Sequence, residues 1–294
     1  MNKKRAVNLL FLLFIGVFAF AQPSDLARID YTTLPKNDAN LNYERTRFVL
    51  NYPIKLNENK SYFVVGVDYS KINLDLEDNN PFMENTDQYQ LLDFTLGYTF
   101  KMNNNWRFAM TAVPRLSGES KIKDFSSDNL SIRSEVFFIK DELDNEDLKR
   151  PYRLILGLTY SSISSIRFPL PTINYFRKFK PNWSYNLGVP KTNLQYWFSE
   201  KNRLKLFAQL DGFNSRVNQS LTSNGTLNSE QINMTLGLSG LQYEYYITKH
   251  LQLYARAAYI FHEKVNVRDN NWDKIYTLKG DNHLYLRTGI RFKI

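Results

Sequence analysis

Not one of the 294 residues is cysteine. That single absence excludes a lipidated N-terminal cysteine, a disulfide framework and any thiolate metal site. Histidine numbers only three, at scattered positions, so zinc-type ligand spacing is missing as well. No Walker-type or dinucleotide-binding glycine loop occurs, and no Gly-x-Ser-x-Gly nucleophile elbow. No cofactor is therefore expected. Beyond the first 21 residues no apolar run reaches 18, which excludes a helical membrane span. Basic residues outnumber acidic ones, 38 to 29, yet no run of Lys or Arg forms the stripe that tracks a phosphate backbone, so nucleic acid is not an expected partner.

The first 21 residues read as a signal peptide. Lys3, Lys4 and Arg5 form a basic head, an apolar stretch runs from Leu9 to Phe20, and Ala19-Phe20-Ala21 supplies a small-x-small cleavage site. The mature chain is expected to begin at Gln22, with residues 22–294 forming one exported domain. Loss of three bases lowers the net charge from +9 to +6, a surplus suited to a polar lumen or to anionic lipid head groups.

What the chain has in abundance is aromatics, 19 Tyr, 21 Phe and 4 Trp, set in a sequence that is hydrophilic on average. The two fit together through alternation. Phe48, Leu50, Tyr52 and Ile54 share one face of an extended segment while Arg45, Arg47 and Asn51 share the other. The same period of two recurs around Phe63–Tyr69 against Asp68, Leu92–Phe100 against Asp93, Trp106–Leu116 against Arg107 and Arg115, and Tyr152–Tyr160 against Arg153. It continues through Leu204–Leu210 against Lys205 and Asp211, and Leu251–Tyr259 against Arg256. The last segment, Leu284–Ile294, opposes Arg287 and Arg291. Period two over segments of this length specifies strands with one apolar and one polar face.

Connections alternate too. Short polar turns at 57–60, 103–105, 180–182, 199–202 and 248–250 interleave with longer loops at 74–87, 118–129, 217–229 and 262–281; the connection at 141–150 is long for its side. Short turns at one end and long loops at the other are the layout of outer-membrane barrels, whose short turns face the periplasm. Aromatics flank those turns: Tyr52 and Tyr62, Phe100 and Trp106, Phe179 and Trp183, Phe198 and Tyr246. Such placement predicts an interfacial girdle. The fold class is thus all-β, a transmembrane antiparallel up-and-down β-barrel of about 14 strands. Twelve remain open if Gly188-Val189-Pro190 marks a fold-in rather than a strand end. Within 232–247 the apolar parity changes at Ser239-Gly240, which predicts a β-bulge there.

Several stretches resemble an uncharacterised Gram-negative outer-membrane barrel family, a domain of unknown function. They are Asp25-Leu26-Ala27-Arg28 with Tyr31 and Leu34-Pro35, Asn51-Tyr52-Pro53-Ile54-Lys55-Leu56, Gly188-Val189-Pro190-Lys191 and Leu210-Asp211-Gly212-Phe213. The resemblance implies a barrel and no activity. The final strand is similar to the signal read by the barrel-assembly machinery, although Ile294 rather than an aromatic is last and Phe292 stands two residues before it. Outer-membrane lipid and that machinery are the expected partners, and the outer membrane the expected location.

The polar parity collects the candidate lumen-lining residues: Arg47, Asp68, Asp93, Arg107, Arg115, Arg153, Asp211, Arg256, Arg287 and Arg291, with Glu244 joining after the phase change. Such charges either pair across the lumen and plug it or line a water-filled channel. Three functions follow as expectations. The first is a passive pore or structural surface protein of unspecified solute, without enzymatic activity. The second is a barrel hydrolase at the extracellular rim. There His262 and His283 share the inward parity, and Asp281-Asn282-His283 is similar to half of the omptin-type protease site, with Asp75 and Glu77 the only candidates for the other half. The third is a soluble periplasmic β-barrel with an apolar ligand inside, which would turn Arg107, Arg256 and Arg287 outward.

Overall fold

The computed structural model describes residues 25–35, 41–56, 60–76, 88–119, 126–143, 145, 149–164, 168–216, 231–269, 272–278 and 284–293. Their alternating segments become strands β1 (Asp25–Leu34), β2 (Leu41–Lys55), β3 (Tyr62–Leu76), β4 (Gln88–Lys101), β5 (Trp106–Gly118), β6 (Leu130–Asp141), β7 (Tyr152–Ser161) and β8 (Leu170–Lys180). There follow β9 (Trp183–Val189), β10 (Lys191–Ser199), β11 (Asn202–Arg216), β12 (Gln231–Tyr246), β13 (Leu251–Arg268), β14 (Lys274–Leu278) and β15 (Leu284–Lys293). Each strand pairs antiparallel with the next from β1 to β13, β13 pairs with β15, and β15 pairs with β1. The sheet closes on itself as a barrel of fourteen strands. β14 stands outside the ring, as a short strand paired with the upper end of β13.

The faces are inverted relative to a water-soluble protein. Phe48, Leu50, Phe94, Leu96, Met110, Leu156, Leu206, Leu241 and Leu253 point outward and are exposed. Their inward neighbours Arg45, Asp93, Gln242, Glu244, Gln252 and Arg256 are buried. An outer surface of this polarity is stable only where the surroundings are apolar. At the short-turn end the outward rings form a chain of contacts, Phe100 to Phe108 to Phe138 at 5.4 Å each, and Phe179 to Trp183 to Tyr196 at 6.4 and 4.6 Å. Two rings assigned to this girdle from the sequence belong elsewhere: Tyr62 is buried under Arg107, and Tyr246 stacks on Trp197 at 5.1 Å inside the wall.

Wall height varies round the ring. β9 has 7 residues and β10 has 9, because the chain reverses at Pro190, where Thr192 Oγ1 both accepts from Gly188 N and donates to Gly188 O at 3.0 Å. Gly188-Val189-Pro190 is therefore a strand end, which settles the count at fourteen. β12 and β13 have 16 and 18 residues. At about 3.3 Å per residue and a tilt near 40°, β9 rises only about 18 Å, less than the ~25 Å apolar band of such barrels. β11 pairs with β10 only from Asn202 to Gln209, with Leu210 N reaching Pro190 O at 3.0 Å, so Asp211–Arg216 lacks a sheet neighbour on that side.

The phase change in β12 is not a bulge. β11 and β12 stay in unbroken register from Asn202↔Tyr245 to Arg216↔Gln231, so even-numbered side chains of β12 point inward throughout. Ile232, Met234, Leu236 and Leu238 are almost fully buried inside the barrel, and Leu241, Tyr243 and Tyr245 are exposed outside it. What changes at Ser239-Gly240 is the character of the lumen, apolar above and polar below. The bulge in this part of the barrel lies on β13, where Gly237 opposes His262, Leu238 opposes Ile260, and Phe261 is the extra residue.

Candidate functional site

The upper, long-loop end of the lumen is filled. Tyr43 from β2, Tyr89 from β4 and Phe213 from β11 meet across it, with Phe213 6.2 Å from the first ring and 5.5 Å from the second. Ile72, Leu74, Leu91, Met234, Leu236, Leu238 and Ile260 complete this apolar core. Opposite walls touch directly here. Arg45 Nη1 donates to Gly212 O at 3.4 Å, Arg115 Nη1 to Asn214 O at 3.3 Å, and Arg216 N to Ser117 Oγ at 3.2 Å. Three of the backbone groups that the short β10 leaves unpaired on β11, Gly212 O, Asn214 O and Arg216 N, thus bond to β2 and β5, while Gly212 N donates to Asp211 Oδ1 at 2.8 Å. Gly212 alone fits its place on β11: its φ is +138°, and a Cβ would lie 2.0 Å from Met234 O.

Below this plug the inward charges pair. Arg47 is bound to both oxygens of Asp68, and Arg115 is bidentate to Asp93 at 2.6 and 2.7 Å. Asp68 and Asp93 stand directly opposite each other on β3 and β4, a like-charge contact that the two arginines offset. Asp211 accepts from Arg287 Nη2 and from Tyr285 Oη, both at 2.9 Å. Glu244, wholly buried, binds Arg203, Lys205 Nζ at 2.7 Å and Arg291 Nη2 at 2.6 Å. Gln252 adds a further donor to it at 2.8 Å. Arg256 gives Nε and Nη2 to Gln242 Oε1 at 2.9 and 2.5 Å.

Two of the expected residues sit at the short-turn mouth rather than in this network. Arg107 donates to Lys60 O at 2.9 Å, and Arg153 binds Asp141 at 2.9 Å through Nε. Of the eleven candidates, Arg47 with Asp68, Arg115 with Asp93 and Arg287 with Asp211 form separate pairs, and Arg291 joins the larger cluster round Glu244. Lys191, Arg203 and Lys205 belong beside that cluster and were not among the candidates. The signal for them was available, since Lys205 shares the parity of Asp211 on one strand.

At the mouth lies a cavity of about 700 Å³, lined among others by Phe176, Lys178, Ser184, Gln195, Trp197 and Arg203. The Arg203 guanidinium carbon stacks 4.6 Å from the Trp197 ring and 5.3 Å from that of Tyr246.

Of the residues of the rim-hydrolase reading, only His262 has its side chain among the described residues. The extra residue Phe261 turns His262 outward, where it is exposed, while Glu263 takes the inward position. Glu77, Asp281, Asn282 and His283 lie outside the described residues, as does the side chain of Asp75. Among the described residues no group of three or more His, Asp or Glu is placed to hold a metal ion.

A protein-family model described as "Domain of unknown function (DUF6268)" matches residues 31–293. No curated protein matches the chain in sequence. Solved structures similar to it include the KdgM porin, at 10% identity over 91% of this chain and 99% of that one, with a TM-score of 0.37. The Pseudomonas putida toluene transporter TodX is similar at 9% identity over 94% and 90%, TM-score 0.41. An outer membrane channel from Pseudomonas putida F1 is similar at 11% identity over 94% and 99%, TM-score 0.42.

Proposed function

Since the chain belongs to the DUF6268 family, whose description assigns no activity, we propose from its own geometry that it is a narrow outer-membrane pore, closed at its outer end in this conformation. The observation that carries the reading is the inverted polarity of a closed barrel: apolar residues exposed outside, paired charges buried within. The membrane is the outer one, because export of a chain with a cleavable leader, followed by β-barrel insertion through its last strand, leads there. Outer-membrane lipid covers the apolar band, and β15 is the segment the assembly machinery reads. Solute enters from the short-turn end, where the cavity opens. Passage requires the upper part of β11 to leave β2 and β5, since three hydrogen bonds and the apolar core hold it against them. No hydrolytic role is proposed, because the one rim histidine within the described residues faces outward.

Single-channel recording of the refolded barrel in a planar bilayer tests this. Wild type is expected to give rare, small steps, and Phe213→Ala with Leu236→Ala, which hollows the plug, larger and longer ones. Large stable steps from wild type would refute the closed end. Silence from both, with heat-modifiable migration showing both folded, would favour the other reading, a structural surface barrel.

A further inference from the structure

A charged side chain on the lipid-facing wall of a barrel is costly at mid-bilayer and tolerated near the strand ends, where it reaches the head groups. Within the strands of the short-turn half, two cations stand on the outward parity among the described residues. Lys140 on β6 lies directly opposite Leu154 of β7, and Arg177 on β8 lies between Tyr152 of β7 and Tyr185 of β9. Both belong to the face that exposes Val136, Phe138, Leu156 and Ile173. Rings surround them. Tyr152, Tyr175 and Tyr185 follow one another at 5.9 and 6.2 Å, and the Lys140 ammonium stands 5.8 Å from the centre of the Tyr152 ring. Neither cation is neutralised by a close acid. Arg177 makes no side-chain hydrogen bond and no ion pair among the described residues; its Nε is buried without a partner, while the residue as a whole is part-exposed. Lys140 has one carboxylate near it, Glu142 at 4.0 Å, and both oxygens of that group already accept, from Asn105 at 2.5 Å and from Asn145 at 2.9 Å. Asp144, Glu146 and Asp147 of the adjoining turn lie outside the described residues and are no part of the site. β6 and β8 flank β7, so their axes are about 10 Å apart, a gap that two long side chains close from either side over Tyr152.

We propose that this patch on the outer wall of β6 to β8 binds the head group of one anionic phospholipid from the periplasmic leaflet, the leaflet that the short turns adjoin. The Arg177 Nη groups give paired donors to the lipid phosphate, Lys140 Nζ supplies the second charge and the Tyr152 hydroxyl a neutral donor. The acyl chains lie along Leu154, Leu156 and Phe138, on the same face. Charge selects the lipid. A zwitterionic head group carries its own ammonium, which two cations repel, whereas an anionic one leaves its phosphate free to neutralise them. The site rests on the outer wall facing lipid, but not on conduction.

The test is native mass spectrometry of the refolded barrel, released from neutral detergent after incubation with equal amounts of phosphatidylglycerol and phosphatidylethanolamine. One retained phosphatidylglycerol per barrel is expected, at least tenfold over phosphatidylethanolamine. Arg177→Gln and Lys140→Gln should each reduce that preference at least fivefold, and Lys71→Gln, opposite Thr46 on the outward parity near the long-loop end, should leave it unchanged. Folding of every variant is checked by heat-modifiable migration. If Arg177→Gln does not fold, Lys140→Gln decides alone. Equal retention of the two lipids by wild type overturns the proposal, as does wild-type preference in the folded variants. Displacement of the lipid by inorganic phosphate at equal concentration overturns it in favour of the free anion. A barrel that inserts into vesicles without this preference loses the site alone, and one that does not insert loses the lipid-facing wall as well.

Discussion

Replacing Glu244 by Gln changes no volume and leaves three cations facing a neutral amide. Arg203, Lys205 and Arg291 all converge on this one carboxylate, and their side chains are only 13%, 11% and 13% exposed. Removing the acid from a buried ion pair costs about 3 to 5 kcal/mol, because the remaining charge stays desolvated. The mouth cavity lies beside Arg203 and admits some water, and Gln252 and Gln242 can reorient toward the new amide, so the low end applies, about 3 kcal/mol. That is a loss of roughly 100-fold in the folding equilibrium. The assay is the fraction folded across a urea series, read by heat-modifiable migration once unfolding and refolding curves coincide. Asp141→Asn serves as the internal comparison. Its partner Arg153 sits at the mouth and Asp141 itself is 38% exposed, so about 0 to 1 kcal/mol is expected. If Glu244→Gln proved as stable as Asp141→Asn, the three cations would have to be hydrated in wild type. The lumen at that height would then be wet, contrary to the burial of the three cations round Glu244.

Two further outcomes bear on the architecture. Leu206→Arg places a charge on the outer face at a site now 54% exposed, and insertion into lipid vesicles should weaken by about 2 to 4 kcal/mol, whereas Gln209→Arg, inward on the same strand, should insert with near wild-type yield; equal yields would invert the assignment of faces. Intact-mass measurement of the protein from outer membranes should give a chain starting at Gln22, and a retained leader would remove the argument for export by a cleavable signal.

The legible part of this protein is its wall. Period-two alternation from Thr46 to Ile54, and again in each later segment, fixes which residues face lipid. That pattern depends only on the pleat of a single strand, so sequence suffices to read it. The candidate charges were legible for the same reason: Arg47 with Asp68, and Arg115 with Asp93, fall on one parity and pair with the adjacent strand. Parity says nothing of height or of what lies opposite. Ile232, Met234, Leu236 and Leu238 read as a lipid-facing run displaced by a bulge, yet they face inward, because there the opposite walls meet and exclude water. His262 shares the inward parity in sequence and is turned out by one extra residue, Phe261, which only the pairing with β12 exposes.

The sequence by itself thus determined the strands, the faces of most of them and the alternation of short turns with long loops, since each is a local consequence of residue type and spacing. Only the tertiary structure decided that the lumen is closed at one end. Closure follows from the chain reversing early at Pro190: β11 loses its neighbour above Gln209, and Gly212 O, Asn214 O and Arg216 N bond instead to strands β2 and β5, more than 90 residues away in sequence. A contact across that separation leaves no periodicity to read, and it is the contact that separates a filled lumen from an open one.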